Sequence, residues 1–154
     1  MLFLDFYVFY AASKVLQEGG NVYDPAQYRA AMILLGWPAE KVIMPFPYPP
    51  QALWLFYPLS FLGFDAACGV WSALSLLLLF AALRELPRLL GAGALHLSPA
   101  RLGLALAAFV PLWKTVLFGQ VTALLLFALC AALWAQARGR SFWTGAWLSI
   151  TALK

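Results

Sequence analysis

The carboxylate of Asp5 is the first candidate for chemistry in this chain, because it stands among aromatic residues at the start of a helical pattern. A carboxylate accepts a proton from a hydroxyl group placed next to it, which is the role of a general base. Aspartate is also a favoured N-cap residue, so the same position can simply begin the first short helix. The residues around Asp5 allow both interpretations.

Two further polar side chains lie in or beside apolar sequence, Lys114 and Gln120. A lysine at the centre of a membrane helix costs about 2.5–3.5 kcal/mol, so it normally pairs, extends to the interface or binds an anion. Gly119 precedes Gln120 where the next apolar run begins, and a helix N-terminus opened by glycine can approach an anion. A simple turn explains this pair equally well. Lys114 and Gln120 are therefore candidate contacts for a phosphate group.

Other kinds of chemistry find little support in the sequence. His96 is the only histidine, which excludes a histidine-rich metal site. The stretch "GAGALH" at 91–96 follows a helical and basic segment instead of a strand, so we interpret it as a loop and not as a dinucleotide motif. Cys68 and Cys130 lie inside apolar runs without CxxC spacing and are expected to pack as small hydrophobic residues. We predict no metal and no cofactor.

The composition limits the class of protein. Of the 154 residues, 64% are hydrophobic and 10% are charged, whereas a soluble domain carries about 25% charged residues. The chain is therefore predicted to be an integral membrane protein. Its net charge of +4 comes from the second half of the chain, where most of the basic residues are arginines between apolar runs. That arrangement is typical of cytoplasmic loops and not of a nucleic-acid-binding face.

Apolar runs indicate where the chain enters the membrane. The clearest run, 66–83, has no charge and as a helix covers roughly 27 Å, close to the thickness of a bilayer core. Other runs cover 102–118, 121–135 and the residues from 142 onward, and a shorter one covers 51–64. We predict an all-α, polytopic membrane protein, with residues 1–50 as an external loop and 51–154 as the transmembrane region.

The external loop is predicted to contain two short juxtamembrane helices at about 5–18 and 25–35. Asp24 followed by proline is a typical helix start, and Gly36 a typical stop. The segment 45–50, "PFPYPP", is then extended because proline fixes φ and restricts the residue before it. This segment is either a spacer before the apolar helix or a wall beside a site.

The orientation depends on two groups of arginines, which are Arg84, Arg88 and Arg101 in one loop and Arg138 with Arg140 in another. If both loops are cytoplasmic, Gly119 and Gln120 are external and 51–64 dips into the membrane without crossing. If 51–64 crosses, one basic loop lies outside. The charge distribution favours the first arrangement.

The order of four segments resembles a known family. They are "DFYVFYAASKVLQEGGNVYD" from Asp5, "FPYPPQALWLFYPLSFL" from Phe46, Pro111 with "FGQVTALLL" from Phe118, and "TGAWLSITALK" at the end of the chain. Together they resemble the amino-terminal part of glycosyltransferase family 87, in the GT-C superfamily of polyprenol-phosphate-sugar-dependent enzymes. Members normally have a transmembrane helix before the catalytic acid and several helices beyond the final lysine. The resemblance therefore implies a fragment.

The resemblance also implies a GT-C-like helical fold and a set of roles. Asp5 matches the catalytic acid of the first external loop, the Tyr48 segment closes that loop, and 51–64 crosses the membrane. Lys114 and Gln120 join Tyr48 as predicted substrate contacts. The expected reaction transfers a sugar, mannose or similar, from a polyprenyl-phosphate carrier to a hydroxyl of a membrane lipid or glycan. The expected location is the inner cell membrane, with the active site facing the external side.

Two other functions fit the residues. A transporter or lipid-flipping subunit would use Lys114 and Gln120 along a substrate path, and it would be expected to have paired halves with broken helices. The sequence contains no inverted repeat. A non-catalytic helical fragment or assembly partner is the other alternative.

Overall fold

The structure is a computed structural model that describes residues 3–41, 45–89, 108 and 110–153. Every regular element within these ranges is helical, which confirms the all-α prediction. The α-helices are α1 (Leu4–Gln17), α2 (Pro25–Leu34), α3 (Gln51–Phe56), α4 (Phe64–Leu89), α5 (Val110–Leu117), α6 (Thr122–Ala137) and α7 (Ser141–Ser149), and the 3-10 helices are Ala39–Lys41, Tyr57–Phe61 and Ile150–Leu153.

The chain forms two compact units, one up to Val70 and one from Trp71 to Ala152. Within the described residues, a single stretch, Phe64–Leu86 in α4, is long and apolar enough to cross a membrane. It contains the 66–83 run that the sequence singles out. The predicted 91–96 loop, including His96, lies outside the described residues, as does most of 102–109.

An aromatic core holds the first unit together. The start of α1 buries four aromatic side chains at helical spacing, Phe6, Tyr7, Phe9 and Tyr10. This face packs against α2, α3 and the 3-10 helix that follows α3. The Phe9 ring stacks on Phe56 with centroids 4.1 Å apart, and the Tyr10 hydroxyl donates a hydrogen bond to the Leu62 carbonyl at 2.7 Å. Aromatic burial therefore determines how the elements around α1 are arranged.

The ends of α2 agree with the signals in the sequence. The Asp24 carboxylate accepts hydrogen bonds from the amides of Ala26 at 2.8 Å and Gln27 at 3.4 Å, as an N-cap does. At the other end Gly36 has a φ of 93°, in the left-handed region that glycine adopts without a steric penalty. The amide of Trp37 bonds to the Met32 carbonyl and closes the helix.

The N-cap interpretation of Asp5 is wrong. Helix α1 begins at Leu4, and its N-cap is Phe3, which makes no side-chain capping bond. Asp5 lies one residue further along, in the first turn, where the positive end of the helix dipole favours a negative charge. The carboxylate is therefore not used as a cap.

The segment 51–64 does not form one continuous helix. Helix α3 has 6 residues, a length of about 9 Å, whereas a bilayer core is about 30 Å thick. A 3-10 helix with Pro58 near its start follows, because proline supplies no backbone donor and ends the α-helical pattern. Both pieces pack on α1 in the first unit. The helix that would cross the membrane is interrupted. The crossing of 51–64 therefore stays a prediction.

In the second unit, helix α6 buries small residues. These are alanines and a cysteine, while two of its leucines and its tryptophan are exposed, as are two aromatic residues of α7. The buried set is Ala123, Ala128, Cys130, Ala132 and Ala135, and the exposed set includes Leu129, Leu133, Trp134, Phe142 and Trp143. Small residues let helices approach closely in membrane proteins. Cys130 is a free, buried cysteine, and so is Cys68 in the first unit, which confirms the packing interpretation.

Candidate functional site

Helix α1 presents Asp5 and Phe9 one turn apart, so both side chains lie on the same face. Phe9 is buried, and its ring centroid lies 4.4 Å from that of Tyr48. Asp5 is half-buried. Because Tyr48 packs on the neighbour of Asp5, the proline segment lies against the part of α1 that carries the carboxylate.

Electrostatics agrees with this arrangement. Burial raises the pKa of the Tyr48 phenol, and the nearby negative charge of Asp5 raises it further. The phenol therefore stays protonated at neutral pH and remains a hydrogen-bond donor. A carboxylate with a protonated hydroxyl close by can accept a proton and orient an oxygen-bearing substrate. The structure thus brings together two of the four predicted site residues, Asp5 and Tyr48.

Three residues that the sequence analysis did not single out hold Tyr48 in place. The Tyr23 hydroxyl donates a hydrogen bond to the Tyr48 carbonyl at 2.8 Å. The Phe46 ring lies 5.7 Å from the Tyr48 ring and 6.1 Å from the Tyr28 ring. Burial raises the pKa of Tyr28, and the nearby Tyr48 adds a smaller increase. Their contacts join residues far apart in the chain, so the only signal in the sequence is the density of aromatic residues.

A cavity of about 510 Å³ lies beside this cluster in the first unit. Its wall includes Tyr23, which bonds to Tyr48, and Pro50 at the end of the proline segment. Among the described residues, those that line the cavity carry no formal charge; they are Leu16, Gly20, Asn21, Val22, Tyr23, Pro50, Leu53, Trp54 and Tyr57. The segment 45–50 contains no helix, as a spacer before α3 requires, and its last proline also forms part of this wall.

Gly119 and Gln120 form a helix C-terminus. Gly119 has a φ of 65°, its amide bonds to the Val116 carbonyl, and the Gln120 amide bonds to the Thr115 carbonyl at 2.9 Å. These two bonds close α5 in a Schellman motif. The simple-turn interpretation is therefore correct, and the Gln120 amide is already occupied and does not point at an anion. The Gln120 side-chain oxygen accepts a hydrogen bond from the Thr122 hydroxyl at 3.3 Å.

Lys114 lies in the last turn of α5 with an exposed side chain. Within the described part of the chain its ammonium group makes no ion pair, which leaves the charge available to an anion or to solvent. Lys114 and Gln120 both belong to the second unit, whereas Asp5 and Tyr48 belong to the first.

The fold and the site describe an all-helical, apolar chain with a half-buried carboxylate beside a tyrosine. The model of glycosyltransferase family 87 matches residues 46–154, and this chain belongs to that family. The matched range contains Tyr48, Lys114 and Gln120 and begins after Asp5. The assignment of Asp5 therefore depends on its position next to Tyr48.

Two curated relatives carry the name polyprenol-phosphate-mannose-dependent alpha-(1-2)-phosphatidylinositol pentamannoside mannosyltransferase. The protein from Mycobacterium tuberculosis (strain CDC 1551 / Oshkosh) is 33% identical over 136 residues, which cover 86% of this chain and 29% of the relative. The protein from Mycolicibacterium smegmatis (strain ATCC 700084 / mc(2)155) is 33% identical over 131 residues, covering 84% and 30%. The chain thus spans less than a third of the length of these relatives. No solved structure matched it at a significant level.

Proposed function

We propose that this chain takes part in the transfer of a sugar, mannose or similar, from a polyprenyl-phosphate carrier to a hydroxyl of a membrane lipid or glycan. Membership of glycosyltransferase family 87 and the names of the two relatives support the reaction class. The apolar stretch Phe64–Leu86 supports a position in the membrane. The active site is assigned to the external side of the inner membrane, with 1–50 as the external loop.

The observation that carries the proposal is the proximity of Asp5 and Tyr48. The two residues lie far apart in the sequence, and the charge of Asp5 acts on the Tyr48 phenol. The stacked ring of Phe9 holds Tyr48 on this face of α1, and the Tyr23 hydroxyl holds its backbone. A carboxylate whose surroundings are held in this way is well placed to act as a base.

The reaction needs one base and a leaving group. Asp5 accepts the proton of the acceptor hydroxyl as that oxygen attacks the anomeric carbon of the donor sugar. A new C–O bond forms to the acceptor, and the bond from the anomeric carbon to the carrier phosphate breaks. The electron pair leaves with the polyprenyl phosphate, and the single displacement inverts the anomeric configuration. Tyr48 donates a hydrogen bond to a substrate oxygen.

Lys114 and Gln120 are proposed as donor contacts. A cation near the departing phosphate stabilises the negative charge that develops there, and Lys114 has an exposed ammonium group for that task. Gln120 would contribute through its side chain, since its amide closes α5.

The test is a transfer assay in membranes with a polyprenyl-phosphate mannose donor and a lipid acceptor. Asp5→Asn keeps the size of the side chain and removes the base, so turnover is expected to fall by about 10²–10⁴-fold. The matched control is Asp65→Asn, an exposed carboxylate in the first turn of α4, which is expected to keep full turnover. Undiminished turnover in Asp5→Asn would remove Asp5 from the mechanism.

Tyr48→Phe separates the hydroxyl from the ring. The ring contact with Phe9 remains, so the fold is expected to be unchanged. Turnover is expected to fall by about 5–10-fold, the value of roughly one neutral hydrogen bond. If the carboxylate and the phenol act together, the double variant Asp5→Asn with Tyr48→Phe loses less than the product of the two single effects.

A further inference from the structure

Two arginines lie over one aromatic ring between α6 and α7, and the nearer of them, Arg138, is stacked on it. The guanidinium carbon of Arg138 lies 3.7 Å from the centroid of the Trp134 ring, and that of Arg140 lies 5.9 Å from it. Stacking on an aromatic face restricts a guanidinium and leaves its N–H groups free to point outward. The two arginines are therefore held near one another by the same ring.

The charges of these two arginines face solvent. Within the described residues neither Arg138 nor Arg140 makes an ion pair, and both are exposed. Arg84, in α4, is also exposed. Two unpaired guanidinium groups on one ring produce a local positive potential that attracts an anion, most strongly where water is partly excluded.

A cavity of about 400 Å³ opens beside Arg138, lined by Glu85, Leu89, Trp134, Ala137 and Arg138. Its wall thus combines a guanidinium and a carboxylate with apolar surface. A carboxylate in the wall opposes a doubly charged anion. The cavity therefore favours a singly charged group.

The position of the cavity suggests the source of that anion. The apolar stretch of α4 ends at Leu86, and apolar helix α6 ends at Ala137. Glu85 and Arg138 thus lie where two apolar helices give way to charged residues. Tryptophan and arginine at such ends are typical of the level of the lipid headgroups.

We propose that this cavity binds the phosphodiester headgroup of an anionic membrane lipid. Arg138 donates two parallel hydrogen bonds to the phosphate oxygens, and Arg140 adds a second positive charge. Phosphatidylglycerol carries one negative charge on such a phosphodiester. The inference relies on the membrane position given under the proposed function, and it is independent of the role of Asp5.

The test uses the whole chain in lipid nanodiscs that contain phosphatidylcholine with a minor fraction of phosphatidylglycerol. Native mass spectrometry after release from the nanodisc measures the ratio of the two lipids that stay bound. Enrichment of phosphatidylglycerol is expected, and Arg138→Gln is expected to reduce it about fivefold, the effect of one basic residue near an anionic surface. Arg138→Lys keeps the charge and loses the planar fork, so it is expected to retain part of the enrichment.

The matched control is Arg29→Gln, which removes one positive charge from an exposed position in the first unit. It is expected to leave the enrichment unchanged. Equal enrichment in the unaltered chain and in Arg138→Gln would overturn the proposal, and so would an equal loss in Arg29→Gln, because net charge would then explain the binding. The melting temperature of each variant in phosphatidylcholine alone shows whether it is folded.

Two further measurements separate the possible failures. Inorganic phosphate at millimolar concentration is expected not to displace the lipid, and full displacement would mean a site for free phosphate instead of a headgroup. Extraction of the membranes with alkaline carbonate tests the membrane position itself. Release of the chain into the supernatant would contradict that position, whereas loss of lipid enrichment in a retained chain would contradict only the headgroup site.

Discussion

The core around α1 in the first unit and helix α6 in the second unit bury different kinds of residue. The first unit buries large aromatic side chains, led by Phe6, Phe9 and Phe56, and uses hydroxyl groups to bind backbone carbonyls. The described part of the second unit buries alanines in α6 and exposes leucine and tryptophan. Removing large apolar side chains from water stabilises a fold, whereas small buried residues with large apolar residues outside suit a lipid environment. The contrast indicates that aromatic packing holds the core around α1 together, whereas α6 relies on close approach through small residues.

This difference also separates the tasks that the site residues perform. Asp5 and Tyr48 belong to the aromatic unit, in which stacked rings and hydrogen bonds restrict side-chain motion. A base works best when the groups around it are held in place before the reaction. Lys114, by contrast, is an exposed cation in the second unit.

The largest expected loss of stability comes from Phe9→Ala. Phe9 is 1% exposed and contacts both Phe56 and Tyr48, so its loss is expected to cost about 3–5 kcal/mol of unfolding free energy. Denaturant unfolding in detergent measures this. Leu34→Ala, at a position 84% exposed in α2, serves as the control and is expected to change little. Similar costs for the two variants would contradict an aromatic core in this unit.

In the second unit, replacing a small buried residue by a larger one is expected to lower the stability. Ala128 is fully buried in α6, so Ala128→Leu forces extra volume into a close helix contact and is expected to cost about 1–3 kcal/mol. Leu129→Ala, at the next and exposed position, is expected to have a small effect in detergent or lipid. Thermal unfolding in nanodiscs compares the two. A stabilising Ala128→Leu would mean that the buried alanines border unfilled space.

Helix capping gives a smaller difference, between α2 and the helices α6 and α7 of the second unit. Asp24 caps α2 with its side chain, whereas Val121 and Arg140, the N-cap residues of α6 and α7, make no side-chain capping bond. Asp24→Ala is expected to cost about 1 kcal/mol, and Asp24→Ser clearly less, because serine also caps well. Denaturant unfolding of the two variants measures the cap. Equal losses would mean that the contact of Asp24 with Gln27 matters more than the cap.

The smallest expected change in stability comes from raising the pH. All six tyrosines of the chain lie between positions 7 and 57, and burial raises the pKa of Tyr28 above its usual 10.0. The protonated phenol thus favours the folded state, and its contribution is complete below pH 10 and lost as the pH rises toward the folded pKa. At pH 10.5 the expected loss is less than about 1 kcal/mol. Tyr28→Phe is expected to flatten this part of the pH profile, measured by phenolate absorbance and unfolding.

Local signals in the sequence predicted the local structure well. Asp24 before a proline and the glycine at position 36 correctly placed α2, and the charge-free run 66–83 lies within α4. These signals act over a few residues, since a cap or a stop depends on the backbone next to it. The same local view misplaced Asp5, because Phe3 and not Asp5 is the N-cap of α1.

The candidate site was predicted only in part. Asp5 and Tyr48 were named from their chemistry and from a family resemblance, but nothing near either residue in sequence indicates that they meet. They are linked through the Phe9 ring, which packs on Tyr48 and lies one turn from Asp5, and Tyr23 and Phe46 also hold Tyr48. Gln120 shows the opposite outcome, since its position after a glycine suggested an anion contact where the structure has a helix end.

The sequence by itself determined the helical class, the most apolar stretch and the ends of α2. Each of these depends on composition, on hydrophobic periodicity or on backbone preferences of single residues, which neighbours in the chain are enough to specify. Only the tertiary structure decided that Tyr48 lies over the face of α1 that carries Asp5, and that Trp71 donates its indole N–H to the carbonyl of Gly119 at 3.0 Å. Such contacts join distant parts of the chain, and they form because burying aromatic rings and pairing buried polar groups lower the free energy of the whole fold.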